Sequence, residues 1–106
     1  MQILVNTDNN INGTERLQGY VESVVGSTLD RFSDRLTRVV VHLTDENSPT
    51  KSKGDDQRCV MEARPAGLQP ISVTHLADTM DQAIDGAVAR LERTLDRTFD
   101  KLDSRG

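Results

Sequence analysis

The spacing of apolar positions changes repeatedly along this chain, and each change marks a new element. Gln2 to Asn6 is short and apolar-rich, which predicts a strand. The run TDNNINGT that follows is dense in Asn, Asp and Gly and predicts a loop. From Thr14 onward Leu17, Tyr20, Val21, Val24, Val25, Leu29 and Phe32 recur at helical spacing, with Thr14 placed to cap the helix through its hydroxyl. Gly19 and Gly26 each disfavour that helix by up to about 1 kcal/mol relative to Ala, so its apolar stripe must be docked.

Leu36 to Thr44 then alternates, with Val39, Val41 and Leu43 opposite Arg38, Val40 and His42. Asp45 to Asp56 is polar, without an apolar period, and reads as a long loop between strands. Gln57 to Arg64 alternates again, setting Cys59, Met61 and Ala63 against Arg58, Val60, Glu62 and Arg64. A turn at Pro65 to Gly67 leads to a strand over Leu68 to Leu76, and a helix capped by Asp78 or Thr79 runs to Leu102. The order β-α-β-β-β-α predicts an α+β, two-layer sandwich: a four-stranded mixed sheet with two helices packed on one face. The first two strands flank a helical crossover and should pair in parallel, with hairpins after them. Residues 1–106 are expected to form one domain.

The final helix carries more than an apolar stripe. At about 100° per residue, Met80, Ile84, Ala87, Val88, Leu91, Leu95 and Leu102 share one side. Arg90, Arg93, Arg97 and Lys101 share a second arc, and Asp85, Glu92, Asp96, Asp100 and Asp103 a third. Cations at i, i+3, i+7 and i+11 make a positive ridge about three turns long, suited to a polyanion. By spacing alone, the ordinary reading is a solvated face in which Arg93 pairs with Asp96 and Arg97 with Asp100.

Charge makes that choice matter. The 106 residues hold 13 Lys and Arg against 17 Asp and Glu, a formal charge of −4, so attraction to nucleic acid must be local. Aromatic residues are only 3%, which leaves an aliphatic core and argues against base stacking as the main mode of recognition. No apolar run is long enough to span a membrane, and the N-terminus lacks a secretory pattern. The lone Cys59 suggests a reducing cytoplasm and lies on the inward face.

Other chemistry is not expected. His42 and His75 lack partners at metal-ligand spacing, and Asp45, Glu46, Asp55 and Asp56 lack the Gly-centred calcium-loop pattern. There is no Gly-rich phosphate cradle and no nucleophile elbow, so neither an enzyme, a cofactor nor a metal is anticipated. Arg38, His42, Arg58 and Arg64 should project from the sheet face away from the helices. They read either as an open face softened by charge or as a secondary contact for RNA or protein.

With these elements placed, the chain resembles the ribosome hibernation-promoting factor and ribosome-associated inhibitor family of bacteria. The resemblance covers most of the chain and is sharpest at AID (Ala83 to Asp85), RLERTLDR (Arg90 to Arg97) and DKL (Asp100 to Leu102). It implies binding to small-subunit ribosomal RNA between head and body, where messenger and transfer RNAs would lie, to silence idle ribosomes under stress. It also implies that Arg90, Arg93, Arg97 and Lys101 contact RNA, with Arg31 and Arg35 as weaker candidates, and that Asp85 is the family's Asp of AID. In length the chain is similar to the short forms of that family. The alternative is a relative with weakened RNA affinity that binds a protein partner in stress regulation. That alternative is motivated by Asp81, by the few cations near the end of the first helix, and by the net charge.

Overall fold

The computed structural model describes residues 1–9, 11–46 and 56–104. Its elements are β1 (Gln2–Thr7), α1 (Thr14–Thr28), a 3-10 stretch (Asp30–Arg35), β2 (Leu36–Asp45), β3 (Gln57–Pro65), β4 (Ile71–Ala77) and α2 (Met80–Ser104). The sheet order is β1-β2-β3-β4, with β1 parallel to β2 and both later pairings antiparallel. This is the two-layer α+β arrangement and four-stranded mixed sheet that the pattern predicts.

Register puts the alternating apolar residues in rows across the sheet. Val5 pairs with Val41, Val41 with Met61, and Met61 with Val73. Val39, Val41, Leu43, Cys59, Met61 and Ala63 are fully or almost fully buried, in one cluster with Leu17, Val21 and Val25 of α1 and the apolar stripe of α2. Both helices therefore cover the same face. Burying each large side chain is worth about 1.5–3 kcal/mol, which offsets the cost of the two glycines inside α1.

Several boundaries differ from the sequence expectation. Thr14 does not cap α1. Gly13 does, with φ 69° and its carbonyl accepting from the Leu17 N–H at 3.0 Å, and no side chain caps that end. The chain enters the helix through a left-handed conformation that glycine adopts without steric cost. The helix also stops at Thr28, short of Phe32, and the tighter stretch that follows carries Phe32 onto Phe99, ring centroids 5.5 Å apart. Strand β4 begins at Ile71 and not at Leu68. The Leu68 N–H bonds the Pro65 carbonyl at 3.2 Å, so the turn extends toward Pro70, which has no N–H to give a ladder. Of the two candidate caps for α2, Thr79 performs the role: its hydroxyl accepts from the Gln82 N–H at 3.2 Å.

Gly86 sets how closely α2 approaches β4. A Cβ at that position would fall within the imidazole of His75. The ring thus occupies the space that a side chain on α2 would need. At the other end of the sheet, the Glu46 N–H donates to the Asp56 carbonyl at 2.8 Å and closes the base of the β2–β3 connection. Residues 47–55 of the expected loop, Asp55 among them, lie outside the described residues.

Candidate nucleic-acid interface

The apolar stripe of α2 is wider than its sequence pattern suggests. Ala83 and Phe99 are buried beside Met80, Ile84, Ala87, Val88, Leu91 and Leu95, while Leu102 is half-buried. With this stripe on the sheet, the two charged stripes are forced to opposite flanks. One faces α1, and the other faces the outer edge of β4.

The acidic flank is paired. Arg16 of α1 donates a two-pronged contact to Asp81, at 2.9 and 3.3 Å. One turn on, the Tyr20 hydroxyl donates to Asp85 at 2.6 Å. Arg31 reaches Asp96 at 3.0 Å and Glu92 at 3.7 Å, and Arg35 reaches Asp103 at 3.2 Å. The guanidinium of Arg31 also sits 4.3 Å from the Phe32 ring centroid, and that of Arg35 3.9 Å from the centroid of Phe99. These exposed pairs are individually weak, because solvent screens them. Together they fix the register of α1 and the 3-10 stretch against α2, and they engage Asp81, Asp85, Glu92, Asp96 and Asp103, leaving Asp100 without a partner among the described residues.

The basic flank is not paired. Arg90, Arg93, Arg97 and Lys101 are all exposed, and none forms an ion pair or hydrogen bond through its side chain among the described residues. The i, i+3 contacts that spacing suggests do not form, because Asp96 turns to Arg31 instead of Arg93. Arg90, Arg93 and Arg97 overhang a trough of about 640 Å³ whose far wall is Ser72, Val73 and Thr74 on the edge strand. Thr94 lies in its floor, with its hydroxyl donating to the Arg90 carbonyl at 2.9 Å. The short side chain of Thr94 lies beside the arginines in this trough. Their planar forks, free of carboxylates, suit phosphate oxygens.

The remaining sequence candidates lie elsewhere. Arg31 and Arg35 are held in the acidic ladder. On the open sheet face Arg38 pairs in register with Arg64, and His42 with Val60. Arg64 contacts Glu62 at 3.2 Å and Arg58 contacts Glu46 at 3.1 Å, which leaves that face partly neutralised. Cys59 is fully buried, and burial pushes its thiol up to about 12. Among the described residues no group of His, Cys, Asp and Glu is arranged to hold a metal, and no helix is long and apolar enough to cross a membrane.

A family model described as Sigma 54 modulation protein / S30EA ribosomal protein matches residues 4–103. The chain belongs to that family. It is thereby one of a group of ribosome-associated factors, in agreement with the resemblance at AID, RLERTLDR and DKL. Among solved structures it is similar to the N-terminal domain of Protein Y from Thermus thermophilus, at 26% identity and a TM-score of 0.72. That match covers 92% of this chain and 99% of the other. A ribosomal subunit interface protein from Coxiella burnetii shares the fold at 14% identity and a TM-score of 0.72, covering 94% of this chain and 99% of that one. No curated protein matches the chain.

For this member of the family, the residues missed by sequence reasoning are those that join the two helices. Arg16 and Tyr20 are four apart, as are Asp81 and Asp85, and that shared spacing on two helices is the signal that would have paired them. The Tyr20 contact has a measurable consequence. Hydrogen bonding to Asp85, then burial, then the negative charge of Asp85, raise its phenol from an ordinary 10.0 to about 12. Stability from this proton is fully present below pH 10 and is lost as pH rises through about 12. Tyr20 is the only tyrosine and there is no tryptophan, so phenolate absorbance reports it directly. Asp85→Asn should move the absorbance midpoint down toward the ordinary tyrosine range. An unchanged midpoint in that variant would break the assignment.

Proposed function

We propose that this protein binds small-subunit ribosomal RNA through the α2 ridge, occupies the channel used by messenger and transfer RNAs, and so restrains translation under stress. The observation that carries this reading is the separation of charge on α2. Its carboxylates are largely taken up by Arg16, Tyr20, Arg31 and Arg35, while Arg90, Arg93, Arg97 and Lys101 stand free on the opposite flank. An acidic chain thereby presents a local cationic strip without becoming a general polyanion binder. Family membership and the similarity to Protein Y support a ribosomal partner. The mechanism is stoichiometric occlusion by one domain spanning residues 1–106 in the cytoplasm, with no cofactor and no chemical step. Arg31 and Arg35 contribute less, because a phosphate must first displace Asp96 or Asp103.

Co-sedimentation with small ribosomal subunits over a range of salt tests this reading. Four phosphate contacts predict that affinity falls roughly 50-fold for a fourfold rise in salt, using the single-strand slope. Association that ignores salt would favour the alternative, a protein partner met through apolar surface.

A further inference from the structure

The trough beside α2 does not end at the last arginine. Arg97 also lines a shallow hollow with Thr98, Asp100 and Lys101, and Thr98 and Lys101 in turn line a notch of about 390 Å³ with Leu68, Gln69, Pro70, Ile71 and Leu102. Leu68 is one of the exposed leucines, with Leu4 and Leu76, and of these it alone lines the notch. Antiparallel pairing of β3 with β4 and the turn at Pro65 to Pro70 hold this apolar wall against the C-terminal end of α2. Lys101 thus belongs both to the cationic ridge and to the rim of the notch.

We infer that the α2 trough and the Leu68–Leu102 notch form one binding site for unpaired RNA, in which the ridge holds the phosphate backbone and the notch receives a base. This rests on the RNA-binding reading above and specifies the form of RNA. A polyanion following Arg90, Arg93 and Arg97 is led to Lys101 and so to the apolar wall. In a duplex the bases are turned inward and the wall stays wet. In a single strand the flat face of a base is available, and covering it against aliphatic side chains removes both surfaces from water. The apolar wall of Leu68, Pro70, Ile71 and Leu102 covers a base face whatever the base, so the site discriminates unpaired from paired RNA, and Gln69 is the side chain beside it that can reach a base edge.

Anisotropy titrations with three short oligoribonucleotide probes test this: a single strand, its fully paired duplex, and the same single strand with abasic sites. The single strand should bind about 5-fold more tightly than the abasic strand, the effect of withdrawing roughly 40 Å² of apolar surface from water, and more tightly than the duplex. Leu68→Ser should remove that advantage without altering the salt slope, and Leu68→Met should restore it. Arg93→Glu should lower the salt slope for all probes. Equal binding of intact and abasic strands, or an unaffected Leu68→Ser variant, would overturn the notch while leaving the ridge in place. Failure of every probe to bind at low salt would remove the RNA-binding reading together with this one. Displacement of the single strand by an acidic, leucine-containing peptide at lower concentration would assign the trough to a protein instead.

Discussion

Reversing Arg90, Arg93 and Arg97 together to Glu is expected to weaken association with small ribosomal subunits by roughly 100-fold or more and to lower the salt slope by about 2. These side chains are exposed and have no intramolecular partner among the described residues, so the fold and its thermal midpoint should be preserved. Net charge alone would also repel RNA, and position must be separated from it. Neutralising Arg90, Arg93 and Arg97 to Gln, and separately Arg16, Arg31 and Arg35 to Gln, gives two variants of identical net charge. The first should lose ribosome association. The second should keep most of it while losing the ladder that joins α1 and its 3-10 extension to α2. Equal losses in both would mean that global charge, and not the α2 ridge, governs binding.

Gly86→Ala is expected to destabilise the protein by about 1–3 kcal/mol, the usual cost of forcing extra volume into a packed site. Helix propensity alone favours the change by up to about 1 kcal/mol, so the sign decides between two effects. The added Cβ would collide with the His75 ring, and that ring is anchored on β4 beneath α2. Steric exclusion should win. The test is a double-mutant cycle in denaturant: His75→Ala removes the ring, and Gly86→Ala in that background should become neutral or stabilising. A Gly86→Ala variant as stable as the parent would show that α2 is not held at the distance described. The ridge would then lack the fixed relation to β4 on which the trough depends.

Much of the architecture was legible from periodicity. Alternation over Leu36 to Thr44 and Gln57 to Arg64 identified both faces of the central strands, and residues such as Val39, Val41, Cys59 and Met61 are buried accordingly. Local signals failed where the backbone or a distant partner intervened. Thr14 has the chemistry of a cap, but Gly13 has the conformation. Phe32 keeps helical spacing, yet contact with Phe99, nearly seventy residues away, accompanies a tighter winding. An apolar residue after a turn signal places the start of β4 at Leu68, whereas the strand begins at Ile71 because Pro70 withholds the N–H that would extend it.

The three stripes of α2 follow from residue order alone, since a helix of fixed pitch places each side chain at a known angle. Order along the chain therefore settles that Arg90, Arg93, Arg97 and Lys101 share a side, and that acids share another. It does not settle whether those cations are free. Asp96 lies three residues from Arg93 and is equally within reach of Arg31 once α1 is docked, and only the packing of the two helices on a common sheet face brings that competitor in. Ion pairing is decided by distance in space, and the distances between residues 31 and 96, or 16 and 81, are created by the sheet and not by the sequence interval.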